Sequence, residues 1–213
     1  SARVSSLNYK NNNKGKVTIP DTISDNGTIR KVTAIAPYAF IRNKKIKQLI
    51  LGANIQSVGN TSFAGMTGFK KFVVSADNQY VKTFKKGNNA HMLLSKDGKV
   101  MLGMAGCKKS VKIPNTVETI NEYACAVNRM NKLVIGANVK KIYPCAFAHD
   151  AKLKRVQFKG AVPEMSFNCI LDKMNYKKGR VFVPKKYYKN YKQAFKSAVK
   201  RKQFLKLKFL KKK

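Results

Sequence analysis

An internal repeat limits the folds open to this chain more than any other feature of its sequence. Residues 49–74 read LILGANIQSVGNTSFAGMTGFKKFVV, and residues 133–158 read LVIGANVKKIYPCAFAHDAKLKRVQF. Both copies begin with an apolar triplet and Gly-Ala-Asn, carry a Phe near the middle, and end with a basic pair before an apolar residue. The same apolar positions recur in residues 17–49 and 113–133, so the chain consists of copies of one short unit.

The copies follow one another at 22 to 23 residues, as from Phe40 to Phe63. A period of this size is typical of solenoid repeats. A unit so short cannot bury its own apolar face, so it becomes stable only when neighbouring units stack on it. We therefore predict stacked strands at a spacing of about 4.8 Å. Stacking would align Phe40, Phe63 and Phe147 in an aromatic column, in which Cys125 replaces one ring.

The chain also has a large positive charge. It contains 45 Lys and Arg against 9 Asp and Glu, a formal net charge of +36 at pH 7. Because this exceeds what solubility requires, we expect anionic partners. Six basic residues lie at the start of apolar strand segments, and stacking would line them up as a stripe on one side. These candidate binding residues are Lys47, Lys70, Lys71, Lys132, Lys154 and Arg155.

Two interpretations of the stripe remain open. A column of cations matches a linear polyanion, and such binding weakens as salt rises. The alternative is a solvated face that has no ligand. Nucleic acid should bind only nonspecifically, because there is no zinc-finger spacing, helix-turn-helix or aromatic RNA-binding motif.

The sequence offers little for catalysis. His91 and His149 lie in unrelated places, and the acidic residues form no shared motif. Cys145 and His149 come closest to a nucleophile pair, but Cys145 lies beside the Phe147 column, so a buried, inert thiol is favoured. There is no Gly-rich phosphate loop and no metal-ligand spacing. We expect no enzymatic activity, no catalytic residues, no metal and no cofactor.

The four cysteines do not have the spacing of a small disulfide-bonded scaffold. Cys125 and Cys145 fall in adjacent repeats but in different columns, so a disulfide between them stays open. The state of Cys107 and Cys169 stays open as well.

The repeat resembles a known family. The pattern Ile-Pro-x-x-Val-x-x-Ile is carried by residues 113–120, and the later Ala-Phe, Leu and Val positions by Ala146, Phe147, Leu153 and Val156. This is similar to the BspA-type leucine-rich repeat of bacterial and some protozoan surface proteins. The resemblance covers roughly residues 17–210 and implies a right-handed solenoid of the leucine-rich-repeat type, a β-rich α/β fold.

Residues 17–210 are predicted to form one repeat domain. Residues 1–16 precede it as an N-terminal segment that could supply a cap strand, and residues 211–213 follow as a basic tail. Asn26-Gly27 is a strong turn signal, and we expect its flanking strands at residues 16–19 and 30–33. Residues 75–110 are an insert with a β-hairpin, since Asp97-Gly98 is also a strong turn signal. Residues 181–210 contain a strand, an amphipathic helix over 185–202 and a final alternating strand. We expect these to cap the open end of the core.

The family resemblance implies a noncatalytic binding or adhesion module that is secreted or at the cell surface. The expected partner is a host or matrix protein or an anionic polysaccharide. Two alternatives are kept: a polyanion binder for glycosaminoglycan, teichoic acid or nucleic acid, and a structural spacer within a longer surface protein. We expect a monomer. The sequence has no apolar run of 18 residues, so we predict no membrane span. No leader is recognisable, so the expected location rests on the family resemblance alone.

Overall fold

The computed structural model describes residues 1–4, 15–84, 92–106, 109–127, 129–165, 170, 178–198 and 208–212. The chain forms two compact units, residues 1–107 and 108–213, and each is described by itself. His91, Cys107 and Cys169 lie outside the described residues. So do most of the segment before Gly15 and residues 199–207 of the predicted C-terminal cap.

The first unit consists of short strands joined by turns. In chain order they are β1 (Ala2–Val4), β2 (Lys16–Ile19), β3 (Thr22–Asp25), β4 (Thr28–Ile35), β5 (Gln48–Leu51), β6 (Ser57–Val58), β7 (Lys71–Val74), β8 (Val81–Thr83), β9 (Met92–Ser95) and β10 (Val100–Met104).

Equivalent positions of the repeat stack in register in this unit. Strands β2, β5 and β7 form a parallel sheet in which Val17 pairs with Leu49 and Leu49 with Phe72. These three side chains are buried. Strand β4 pairs in parallel with both β1 and β6. Strands β2, β5 and β7 therefore bury equivalent apolar positions against one another, as the repeat predicts.

The Asn-Gly turn predicted near residue 26 is present, but its first strand lies later than the pattern indicated. We expected flanking strands at residues 16–19 and 30–33. The hairpin instead joins β3 to β4, and Asn26 and Gly27 both have positive φ, at 49° and 80°. Positive φ at both central residues matches the twist of the two strands. Residues 16–19 form a separate strand because their apolar residues are needed in the core.

Strands β8, β9 and β10 pair antiparallel, and a turn at Asp97-Gly98 joins the last two. Gly103 in β10 faces the ring of Phe63. A methyl group added at Gly103 would lie 2.7 Å from Cδ2 of Phe63. Phe63 also stacks on Phe40, with ring centroids 6.1 Å apart and an interplanar angle of 7°. The part of the aromatic column that falls in this unit is thus present.

The second unit repeats the plan and adds a helix. Its elements are β11 (Ser110–Lys112), β12 (Thr119–Ile120), β13 (Lys132–Ile135), β14 (Lys141–Ile142), β15 (Arg155–Phe158), β16 (Glu164–Met165), β17 (Arg180–Pro184), a 3₁₀ helix (Lys185–Tyr187), α1 (Tyr188–Ala198) and β18 (Lys208–Lys212).

The strands of the second unit run parallel. The larger sheet has the order β11-β13-β15-β17-β18, and β12, β14 and β16 form a second ladder. Leu133, Val156 and Val181 are paired in the larger sheet and are fully buried. On the same side, Tyr191 and Phe195 of α1 pack on the ring of Phe158, with centroids at 4.7 and 5.8 Å.

Helix α1 is fixed to the strands by one tyrosine. The hydroxyl of Tyr191 donates to the carbonyl oxygen of Ala161 at 2.7 Å and lies 3.1 Å from that of Gly160. Burial, with a smaller contribution from Tyr187, raises the pKa of Tyr191 well above its ordinary value. These contacts are those that a C-terminal cap requires. The cap, the right-handed sense and the single 17–210 domain stay predictions.

The turns around the aromatic column follow one backbone rule. In every described copy, the residues two before and two after the column position have positive φ. The turns also bond to the next copy: the amide of Phe40 donates to Ser62, and that of Cys125 donates to Ala146. The left-handed pairs are Tyr38 and Arg42, Thr61 and Gly65, Tyr123 and Val127, and Cys145 and His149.

Substituting Gly103 by Ala should lower the free energy of unfolding by about 1–3 kcal/mol, because the new methyl group meets the packed Phe63 ring. Urea denaturation of the purified chain measures this cost. Phe63→Val removes the two ring atoms nearest Gly103, so in that background Gly103→Ala should cost about half as much or less. Equal costs in the two backgrounds would show that the close approach does not limit this site.

Candidate polyanion-binding face

The outer side of the larger sheet in the second unit carries a row of cations. Successive side chains of a strand point to opposite faces, so residues next to the buried Leu133, Val156 and Val181 face outward. In the register of the sheet, the residues at the start of four neighbouring strands are all basic. This first basic row consists of Lys132, Arg155, Arg180 and Lys208.

The predicted stripe is partly corrected by this register. Lys132 and Lys154 were expected in one column, but Lys132 pairs with Arg155. Lys154 lies one position earlier, where its amide donates to Asn131. The spacing between paired residues here is 23 rather than 22, and a shift of one residue moves a side chain to the other face. Lys154 is exposed but lies outside the first basic row.

In the first unit, the three predicted lysines occupy two neighbouring columns. The amide of Lys70 donates to the carbonyl oxygen of Lys47 at 2.7 Å, so these two residues are stacked as predicted. Lys71 belongs to the adjacent column, where it pairs with Gln48, which in turn pairs with Lys16. All three predicted lysines are exposed.

Arg155 of the first basic row packs over an aromatic ring. Its guanidinium carbon lies 4.1 Å from the centroid of the Phe182 ring on the neighbouring strand. A guanidinium held on an aromatic face keeps its N–H donors available in its own plane for a carboxylate, sulfate or phosphate. Arg155 makes no ion pair with any described carboxylate.

Two further rows lie on the same outer face. The middle row lies two residues further along each strand than the first basic row. It is apolar except for one amide and consists of Val134, Gln157, Phe182 and Leu210. Beyond it, Lys159 and Lys212 supply a second set of cations. They line a cavity of about 500 Å³ together with Ala137, Gln157, Phe158 and Pro184.

The predicted binding residues do not include Arg180, Lys208, Lys159 or Lys212. The signal was available, because Lys-Phe-Leu-Lys-Lys at 208–212 places Lys, Leu and Lys on one face of a strand. Aligning Val181 and Val183 with Val156 and Phe158 also puts Arg180 beside Arg155. Placing Lys208 and Lys212 on this face also requires knowing that β18 pairs next to β17.

Two described acidic residues of the second unit form ion pairs away from the first basic row. Glu118 accepts from Lys140 at 2.7 Å, and Glu164 pairs with Lys141 at 3.0 Å, both beside the β12-β14-β16 ladder. The bond with Glu164 raises the pKa of Lys141. Within the described residues, no ion pair reaches the first basic row. The first basic row thus has no ion-pair partner among the described residues, and its like charges add to one positive field.

The thiols differ from each other more than the sequence indicated. Cys125 is fully buried and Cys145 is only half-buried, and neither forms a disulfide with a described cysteine. The prediction that Cys145 is buried is therefore wrong. Cys145 has a φ of 54° and occupies the turn position of Tyr123, two residues before the column, whereas Cys125 stands in the column itself. Among the described residues, no cluster of three or more His, Cys, Asp or Glu could hold a metal ion.

The geometry defines a class: a repeat scaffold of stacked parallel strands that displays rows of similar side chains on an open face. The chain belongs to the family described as "BspA type Leucine rich repeat region", whose model matches residues 9–90 and 104–201 in six copies. This confirms the resemblance seen in the sequence. The match indicates a noncatalytic repeat protein and no enzymatic family. No curated protein sequence matches the chain.

Solved structures of bacterial repeat proteins are similar at low identity. The pneumococcal vaccine antigen PcpA is 12% identical over 93% of this chain and 68% of that one, with a TM-score of 0.48. A leucine-rich repeat protein from Eubacterium ventriosum is 15% identical over 80% and 60%, with a TM-score of 0.49. A leucine-rich cell surface protein from Faecalibacterium prausnitzii is 11% identical over 92% and 91%, with a TM-score of 0.36.

In the described part of the chain, no helix has the length and apolar character to cross a bilayer.

Cys125 should resist alkylation in the folded protein, whereas Cys145 should react. Burial, reinforced by the nearby Asp150 charge, raises the pKa of the Cys125 thiol well above its ordinary value. Because the thiolate is the nucleophile, raising the pH from about 7 to about 9 should leave Cys125 unmodified. Peptide mass spectrometry after iodoacetamide treatment measures each site.

Urea provides the control for this experiment, since both thiols should react at similar rates once the chain is unfolded. Rapid labelling of Cys125 in the native protein would contradict its placement in the sealed core.

Proposed function

We propose that this protein is a noncatalytic binding module that holds an anionic partner on the outer faces of its stacked strands. The observation that carries the proposal is the first basic row, Lys132, Arg155, Arg180 and Lys208, which meets no described carboxylate. Each contact of this kind is weak alone. Several contacts in register give a higher total affinity, because a partner that binds one cation is already positioned for the next.

The predicted binding residues keep a role in this proposal. Lys132 and Arg155 belong to the first basic row, and Lys154 lies beside it. Lys47, Lys70 and Lys71 form a comparable exposed patch in the first unit. Membership of the BspA-type family supports a binding or adhesion role. We propose that the protein acts outside the cell or at its surface, on a polyanion or on an acidic face of a host or matrix protein.

Charge reversal tests this function. The full chain is titrated with heparin, polyglutamate, oligothymidylate and a set of matrix proteins, at low and above-physiological salt. At least one partner should keep measurable affinity at the higher salt. The double variant Arg155→Glu with Lys208→Glu should weaken that partner about tenfold or more, and each lost contact should reduce the salt slope by about one unit.

A matched control changes the net charge equally. Lys189 and Lys196 are exposed on helix α1, so Lys189→Glu with Lys196→Glu carries the same charge change away from the row. The control should bind like the original protein. Equal losses in both double variants, or loss of every partner together at higher salt, would show that only overall charge acts and would overturn the proposal.

A further inference from the structure

We propose that the outer face of the larger sheet in the second unit is a subsite for a linear acidic polysaccharide. The polysaccharide would run across the strands, with anionic groups on both basic edges of the face. This rests on the proposed function and specifies its ligand class and its anchor residue. The anchor is Arg155, and Phe182 is its positioning residue.

The anchor has the chemistry of oxyanion recognition. The guanidinium carbon of Arg155 lies over the Phe182 ring, 4.1 Å from its centroid, and the Arg155 side chain is exposed to solvent. Its planar fork can donate two parallel hydrogen bonds to one carboxylate or sulfate, which a lysine cannot do. Holding the guanidinium in place before binding reduces the ordering cost of the complex.

The dimensions of the face suit a chain with charged groups on both edges. Along the chain, Lys159 follows Arg155 by four residues, and Lys212 follows Lys208 by four residues. The middle row lies between the first basic row and the pair Lys159 and Lys212. Two residues of a strand rise about 6.6 Å, so the middle row is about that far from either set of cations. Neighbouring strands step by about 4.8 Å, so Lys132 to Lys208 spans about 14 Å. An extended polysaccharide would present sugar rings to Phe182 and Leu210, the accessible members of the middle row, and acidic substituents to either side.

The cavity at the second edge strengthens this assignment. Its volume of about 500 Å³ lies between Lys159 and Lys212, with Gln157 in its wall. Gln157 is only 8% exposed, and its side chain belongs to the outward-facing row. A concave site that combines two cations and an amide suits an acidic sugar substituent with hydroxyl groups beside it.

A single-stranded nucleic acid fits this face less well. Such ligands gain much of their affinity by stacking bases on free aromatic rings. Phe182 is the one aromatic residue in the described outward rows of this sheet, and Arg155 covers its ring. The face therefore offers oxyanion contacts without a stacking platform.

The test uses charge-conserving variants of the full chain and size-fractionated heparin oligosaccharides, measured by calorimetry at physiological salt. Arg155→Lys should weaken binding about tenfold, because the bidentate contact is lost while the charge remains. Phe182→Leu should weaken it about three- to fivefold by releasing the guanidinium. Affinity should rise with oligosaccharide length until the chain spans about 14 Å, and then level off.

Arg42→Lys is the matched control, since Arg42 is also exposed, lies in the first unit and has no described ring contact. It should bind like the original protein. Unchanged affinity in Arg155→Lys, or equal losses in Arg155→Lys and Arg42→Lys, would overturn the proposal. A titration with hyaluronan, which carries carboxylates only, distinguishes uronate from sulfate recognition.

The outcomes for the function and for the subsite are separable. If a matrix protein or oligothymidylate binds in a salt-resistant way and heparin does not, the binding function stands and the polysaccharide subsite fails. If nothing binds beyond low salt, the proposed function itself fails.

Discussion

Parallel pairing of equivalent residues is the constraint on which the rest of each unit depends. Each copy has about 22 residues and no core of its own, so its apolar residues become buried only when the next copy pairs in register. In the second unit, this register places Leu133, Val156 and Val181 side by side and fully buried. The same hydrogen bonds place Lys132, Arg155 and Arg180 side by side on the opposite face. The same strand pairing therefore produces both the buried core on one face of the sheet and the first basic row on the other.

The turns show what this register costs. Non-glycine residues in the left-handed region are unfavourable, and β-branched Thr61 and Val127 are especially so. They persist because the turns bond to the next copy, as from Phe40 to Ser62 and from Val127 to Ala148. The strain recurs at the same place in each described copy. It is therefore part of the repeat geometry and does not mark a particular functional site.

Like charges in neighbouring positions oppose folding, since each added strand brings cations closer together. The described ion pairs of the second unit do not offset this repulsion, because they lie beside the other ladder, where Lys140 and Lys141 meet Glu118 and Glu164. The first basic row is left without compensation by described carboxylates. A partner that neutralises it would gain binding energy and relieve this repulsion at once.

The sequence by itself determined the repeat, the family and the core, because an apolar period of 22 to 23 residues leaves few ways to bury those residues. It also predicted the Phe40 and Phe63 stack and the Asn-Gly turn. Only the tertiary structure decided which cations are neighbours. Lys132 pairs with Arg155 and not with Lys154, and β18 brings Lys208 into the row. The sequence shows the period of the apolar side chains, but backbone hydrogen bonds set the register of the strands. A register shift of one residue turns each side chain to the other face of the sheet.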